Sequence, residues 1–501
     1  MDFSGLLNGF ATALSTTNLF YAFIGSLLGT VVGILPGLGP TVTIAVLLPI
    51  TYYMSPETAV IMIAAIYYGC MYGGSTTAIL LNIPGEAASV VTAIDGYMMA
   101  KKGRAGAALG VAAIGSFIAA ILSVLALTFL APVLASFALK FGPPEYCALA
   151  VLGLVMAASL SGKSFIKGLI MVVLGMLAAT IGQDPMTGNL RFTFGSQHLL
   201  DGIDFVVVAM GLFGVGELIA NVEHIDAGSI VTTKIERIFP RIKDIVKSWW
   251  AIIRGTVIGF FIGILPGGSG TISSLASYAV EKRVSKHPEE FGQGAIEGVA
   301  GPEAANNASS VASFVPLLTL GVPSNAIMAM LFAALLVHGI TPGPFLVRDN
   351  PIVFWGLIAS MFIGNVMLLI LNLPLVGVWV QLLRVPFSLL APIISGIIVV
   401  GVYTINNRVT DILIMVALGI FGYIMRKLDF ELGPFLLAFV LEELFENSFR
   451  QSLMLSDGSP AIFFSRPISA ALLGVALVFV ITTAVSVIRR SKAKKRGAAI
   501  G

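Results

Sequence analysis

The chain has 501 residues, of which 57% are hydrophobic and 11% charged, with a formal net charge of +3 and a mean hydropathy of +0.96. Soluble domains carry about a quarter charged residues, so these few charges cannot cover a globular surface this large, and hydrocarbon must cover much of it instead. The two cysteines, Cys70 and Cys147, lie in apolar stretches, which argues against a disulfide or a metal pair, and the four histidines (His198, His224, His287, His338) show no metal-ligand spacing.

In chain order, the first apolar stretch has no basic residues ahead of it, so no cleavable signal peptide is expected. It leads into GSLLGTVVGILPGLGPT at residues 25–41, where a Pro-Gly break separates two apolar arms. We expect each arm to be about ten to fourteen residues, too short to span a bilayer alone. A polar interruption follows at 67–89, YYGCMYGGSTTAILLNIPGEAAS, then apolar runs at 107–137 and 145–160. A basic stretch at 221–250 precedes GTVIGFFIGILPGGSGT at 255–271 and a second interruption, EGVAGPEAANNASSVASFVPLLTLGVPSNA, at 297–326. Apolar runs at 352–378, 388–403 and 468–488 complete the series. Runs this continuous are helices, because lipid admits only helices or closed barrels and barrel strands would alternate.

Residues 25–41 and 255–271 share the pattern GxxxGxxxGILPGxxxT, and LIMVVLG at 169–175 returns in the same order as LIMVALG at 413–419. Two collinear matches point to duplication. Basic clusters at 101–104, 163–167, 234–247, 282–286, 426–427 and 489–496 mark the cytoplasmic side, and the connections near 50–56, 184–204, 341–350 and 404–411 are poor in Lys and Arg. On this reading the first GILPG segment starts and ends outside, the second inside, and roughly five crossings follow each, which inverts one half relative to the other. The expected fold is an all-α integral membrane protein with about 10–12 transmembrane segments in two inverted-topology repeats, each with a re-entrant Gly/Pro hairpin. Repeat 1 covers 1–220 with its hairpin at 21–49; a basic cytoplasmic linker covers 221–250; repeat 2 covers 251–488 with its hairpin at 251–281; a basic cytoplasmic tail covers 489–501.

The hairpin tips are the first candidates for a binding site. Pro removes a backbone donor and Gly permits unusual dihedrals, so N–H groups stay free at membrane depth, which is tolerated only inside protein or beside a wet cavity. Half-helix N-termini suit a carboxylate and freed carbonyls suit Na⁺. The candidates are Pro36, Gly37, Gly39 and Thr41 in one tip, and Pro266, Gly267, Ser269, Gly270 and Thr271 in the other. The downstream interruptions add Ser75, Thr76, Thr77, Asn306 and Asn307 as substrate contacts, and Asn82, Glu303, Ser309, Ser310 and Asn325 as ion-coupling candidates. Glu303 leads these, because an acid within a membrane segment is a functional hypothesis by default. The plainer reading of the four-residue glycine spacing is close helix packing, and we expect Gly25, Gly29, Gly255 and Gly259 to serve it.

Together these features point to passage of small anionic solutes. No GxxxxGK[ST] or HExxH motif occurs, and SGKS at 161–164 lacks the upstream phosphate-loop glycine. The alternatives are an anion channel, which needs a continuous polar pore, and a membrane-embedded enzyme, which needs a nucleophile–base or metal constellation. The basic tail reads as a topology anchor at the bilayer, not as a nucleic-acid site.

The paired GILPG motifs, YGGSTTAILLNIPGE at 72–86 and GPEAANNAS at 301–309 resemble the large membrane subunit, TctA type, of the tripartite tricarboxylate transporters, over nearly the whole chain. The resemblance implies a multi-pass protein of the bacterial inner membrane, here with a cytoplasmic C-terminus. It implies two partners, a small membrane subunit of about four helices and a periplasmic solute-binding protein. It implies secondary import of a di- or tricarboxylate driven by Na⁺ or H⁺; with no nucleophile–base or metal constellation in the sequence, we expect no other cofactor and no enzymatic activity. It also implies that the glycine hairpins and the STT and NN clusters bind substrate and ion. The paired hairpins favour an elevator movement over rocking.

Overall fold

The computed structural model describes residues 3–35, 39–160, 164–223, 240–382 and 387–498. They are almost entirely helical. The first stretch contains α1 (Phe3–Ala13), α2 (Thr16–Ile34), α3 (Gly39–Thr51), α4 (Pro56–Leu81), α5 (Val90–Lys101), α6 (Ala105–Ala138), α7 (Pro143–Leu160) and α8 (Phe165–Ala179). A two-residue antiparallel pair, Gly182–Gln183 with Leu190–Arg191, follows. Next come α9 (Phe205–Ala209), a π-helical turn (Met210–Val215), α10 (Gly216–Glu223), α11 (Ile242–Ile264), α12 (Gly270–Val284), α13 (Glu297–Ala312), α14 (Phe314–Leu320) and α15 (Ala326–Val337). The last are α16 (Leu346–Asp349), α17 (Pro351–Asn372), α18 (Val376–Leu382), α19 (Phe387–Asn406), α20 (Val409–Lys427), α21 (Gly433–Leu455), α22 (Ile462–Ser465) and α23 (Pro467–Ala498). Six of these, α2, α4, α6, α11, α17 and α20, are long and apolar enough to cross a membrane, and α3, α8 and α15 are among the shorter apolar helices.

The chain divides into two compact units, residues 1–136 with 206–423, and residues 137–205 with 424–501. Each unit draws on both halves of the sequence. In the larger unit, α4 is apolar all round and buried along its length, as such a helix must be. Pro56 at its first turn and Glu57 beside it suit a helix start. The glycine stripes explain what packs on what. Gly25, Gly29 and Gly33 of α2 lie on α4 so closely that added Cβ atoms would come within 2.6 Å of Met62 O, 2.4 Å of Ile66 O and 2.4 Å of Cys70 O. Gly255, Gly259 and Gly263 of α11 lie on α13 in the same way, 2.3, 2.1 and 2.4 Å from Gly301 O, Ala305 O and Ser309 O. Only hydrogen-sized side chains allow this approach, so the packing role expected for the stripe is what the structure contains.

One expectation is corrected. The first arm of each GILPG segment is not ten to fourteen residues but a helix of 19 residues in α2 and 23 in α11. At 1.5 Å per residue these are about 28 and 34 Å long, enough to cross hydrocarbon. The arms begin further upstream than the glycines because Ser15 caps α2 by accepting from Asn18 N, and Asp244 accepts from Arg241 N at the start of α11. The second arms, α3 and α12, are short, at 13 and 15 residues. Residues 242–250 of the expected linker are therefore the first turns of α11, and 224–239 lie outside the described residues, as do Pro36 and Gly37.

The second breaks echo one another. α4 ends on Asn82 and α14 on Gly321, both left-handed (φ 59° and 71°). Pro84 and Pro323 follow two residues later. Gly85 N then donates to Gly74 O at 3.4 Å, and Ser324 Oγ to Ser313 O at 3.1 Å. Glu86 next caps a 3₁₀ turn at Ala87–Ser89 through Ala88 N, and Asn325 caps α15 through Met328 N, each at 3.0 Å. NIPGE and GVPSN thus share a left-handed helix end and a side-chain cap two residues after the proline.

In the smaller unit, α7, α8, α21 and α23 pack together, with Gly175 of α8 against Phe435 O of α21. A polar layer joins the strand pair to α21. Arg191 grips Glu446 at 2.8 and 3.0 Å, and Arg450 reaches Asp184 at 2.9 Å and Glu446 at 2.6 Å.

Candidate functional site

The site grows from α13, whose run of Gly, Ala, Ser and Asn lets neighbours close in until Gly298 to Ala312 are all buried. Burial of such a polar segment is tolerated only if its groups are paired. Glu303 is 1% exposed. Its Oε2 accepts from Ser75 Oγ of α4 at 2.6 Å and Ser116 Oγ of α6 at 3.5 Å, and its Oε1 accepts from Thr92 Oγ1 of α5. Its carboxylate partners are thus hydroxyls. One helical turn on, Asn307 donates from Nδ2 to Ser116 Oγ at 2.7 Å and to the Glu303 carbonyl at 3.1 Å. Three helices from the first half and one from the second converge on this carboxylate.

Asn306 points elsewhere, because adjacent residues on a helix diverge by about 100°. Its Nδ2 donates to Glu86 Oε1 at 3.1 Å, beside the first half's Pro84-Gly85 break. Its Oδ1 is buried without a hydrogen-bond partner and lies against the start of α12, where a Cβ on Gly270 would come within 2.3 Å of it. Just ahead of α12, Gly267 (φ 78°) donates its N–H to Ser324 O at 2.7 Å, and Ser269 caps α12 by accepting from Ile272 N at 3.3 Å. Pro266, Gly267, Ser269, Gly270 and Thr271 are all half-buried. At the start of α3, Gly39 (φ 51°) has open space where a Cβ would stand, and Thr41 is half-buried.

The sequence candidates therefore separate. Ser75, Glu303 and Asn307 share one network, and Asn306 joins the start of α12 to Glu86. Thr76 lines a cavity with Ser75. Thr77 donates back to Gly74 O, and Ser310 to Asn306 O, bonds internal to their own helices. Ser309 is buried, its backbone under Gly263. Asn82 and Asn325 are helix caps. Thr92, Ser116, Glu86 and Asn372 belong to this region and were not singled out from sequence. The signal was there for Ser116 and Asn372, polar residues inside apolar runs, and for Glu86, an acid beside a break.

Between α4, α6, α13 and α17 lies a cavity of about 10 Å³, walled by Tyr72, Ser75, Thr76, Ser116, Glu303 and Asn372 among others. That is room for about one water and excludes a tricarboxylate from this pocket in this conformation.

Residues 19–437 match the Tripartite tricarboxylate transporter TctA family. A relative from Agrobacterium vitis, described as an uncharacterized 52.8 kDa protein in the TAR-I ttuC' 3' region, is 50% identical over 491 residues, covering 98% of each chain. A second, an uncharacterized protein in the TAR-II ttuC' 3' region of the same organism, is 48% identical over 234 residues, 47% of this chain and 97% of its own. No solved structure matches. The family match runs from the first glycine-striped helix to α21, and an end-to-end relative shares 50% of positions, so the chain belongs to the tripartite tricarboxylate transporter TctA family.

Proposed function

We propose that the chain is the large membrane subunit of a secondary active importer of small di- or tricarboxylates, coupled to Na⁺ or H⁺ and supplied by a periplasmic binding protein. The family belongs to a three-part transport system, which calls for partner subunits; a small membrane subunit of about four helices is the other partner we propose. The setting is the bacterial inner membrane, with the C-terminus in the cytoplasm and the two halves inverted as re-entrant repeats.

The observation that carries this reading is the meeting at Asn306 of the second hairpin tip with the first half's polar break. Elements from both halves share this half-buried polar contact. That is what a carrier needs if a single site is to face each side in turn. Substrate carboxylates would be received by backbone donors and hydroxyls of the tips, at Gly39, Thr41, Ser269 and Thr271, with Asn306 at their meeting point. Ser75, Thr76 and Asn307 lie around Glu303, which serves coupling, and Thr77 lies against the Pro84-Gly85 break. A polar site made of amides and hydroxyls accommodates a carboxylate without a buried unpaired cation.

The test is uptake of labelled di- and tricarboxylates by cells expressing the chain with both partners. Asn306→Ala should abolish uptake at unchanged membrane abundance. Uptake at the wild-type rate would remove Asn306 and the tip contact from the pathway.

A further inference from the structure

The buried polar atoms left over around Glu303 are of one kind. Asn307 commits Nδ2 to Ser116 Oγ and Glu303 O, and Asn372 commits Nδ2 to Leu368 O at 2.9 Å. Turning either amide over would set its oxygen against a carbonyl oxygen, so both orientations are fixed. What remains unpartnered is Asn307 Oδ1 and Asn372 Oδ1, both buried, both acceptors. Ser75, Thr92 and Ser116 direct their hydrogens at Glu303, which leaves oxygen lone pairs facing outward from those bonds. Asn372, Ser75, Thr76, Ser116 and Glu303 wall the same cavity of about 10 Å³.

An anion would face the Glu303 carboxylate, to which the Ser75, Thr92 and Ser116 hydroxyls already donate. A divalent cation would leave a net positive charge buried, at a cost of several kcal/mol per ion. A proton on Glu303 would neutralise the carboxylate, but it would leave Asn372 Oδ1 unmatched and force one donated hydroxyl to turn away. One small monovalent cation fits what the cavity wall offers: a single charge to offset Glu303, several hard oxygen ligands including Asn372 Oδ1, and the volume of about one water.

We propose that this cavity is a Na⁺ site. Glu303 is the charge-bearing ligand, Ser75 Oγ, Ser116 Oγ and Asn372 Oδ1 are neutral ligands, and Thr92 and Asn307 are positioning residues that hold the carboxylate and Ser116. The site rests on the ion-coupled reading above only for its physiological role.

The experiment is ²²Na⁺ binding to the purified full chain, with melting temperature followed in NaCl against choline chloride at equal ionic strength. We expect saturable binding competed by Li⁺ but not by choline, and a melting temperature raised by Na⁺. Glu303→Gln should abolish both effects while melting near the wild type in choline, and Asn372→Ala and Thr92→Val should each weaken binding roughly tenfold. Where Glu303→Gln does not fold, the other two variants decide. No Na⁺ binding by the wild type, or wild-type affinity in Asn372→Ala and Thr92→Val, overturns the site. Na⁺ binding lost in Glu303→Gln without any carboxylate transport leaves the site standing and removes the importer reading. Na⁺-driven uptake with unchanged Na⁺ affinity in Glu303→Gln does the reverse.

Discussion

Asp95 of α5 is buried, and its Oδ1 accepts three backbone N–H groups, from Gly292, Gly294 and Ala295 at 2.8, 2.7 and 2.9 Å, while Oδ2 accepts from Tyr278 OH at 2.9 Å. This one side chain pins the loop that leads into α13. Hydrogen bonds to a charged group contribute about 1.5–3 kcal/mol each, so Asp95→Ala should lower stability by at least about 3 kcal/mol, read as a drop in melting temperature in detergent. A second residue-scale prediction concerns pH. Met186 N–H, with Arg450 and Thr187, holds the Asp184 carboxyl well below the usual carboxylate range. A depressed carboxylate stabilises the fold above its unfolded pKa, about 3.9, and loses that contribution as pH falls through the folded value. The stability deficit of Asp184→Asn should therefore shrink on acidification below about pH 4; a deficit that is the same at neutral and acid pH would show that the charge is not what matters. The hydroxyls around Glu303 were the least legible feature at this scale. A lone Ser or Thr in an apolar helix commonly bonds its own helix, as Thr128 does to Val124 O, and only the packing of α5 and α6 against α13 distinguishes Thr92 and Ser116 from that background.

At the scale of elements, the glycine stripes carried their meaning in the sequence, because three glycines at a four-residue spacing have one dominant physical use. Gly259→Leu should separate α11 from α13 and cost about 1–3 kcal/mol or more, as overpacking does, since its Cβ alone would meet Ala305 O at 2.1 Å. The helix-ending residues are equally testable. Asn82 sits at φ 59° where its counterpart is Gly321, so Asn82→Gly should leave stability nearly unchanged and Asn82→Val should lose about 1–2 kcal/mol, compared by thermal unfolding. The arm lengths were not legible. Hydrophobicity alone placed the break but not the helix starts, which are set by Ser15 and Asp244, polar residues upstream of the motif.

At the scale of the whole chain, the recurrence of GxxxGxxxGILPG was readable in the sequence, and NIPGE and GVPSN each follow a left-handed helix end and place a side-chain cap two residues after the proline. The compact units cut across the halves, taking 1–136 with 206–423 and 137–205 with 424–501. No local pattern announces such a division, because it depends on which distant helices pair. The account's central claim is that the chain carries small carboxylates against a gradient. The most direct measurement is uptake of a labelled di- and tricarboxylate panel into proteoliposomes containing the chain, its small membrane partner and the binding protein, with Na⁺ and proton gradients imposed separately. The account predicts accumulation above the external concentration under an ion gradient and collapse of that accumulation when the gradient is dissipated. Movement that only equilibrates the solute, unaffected by either gradient, would contradict it and point to a channel.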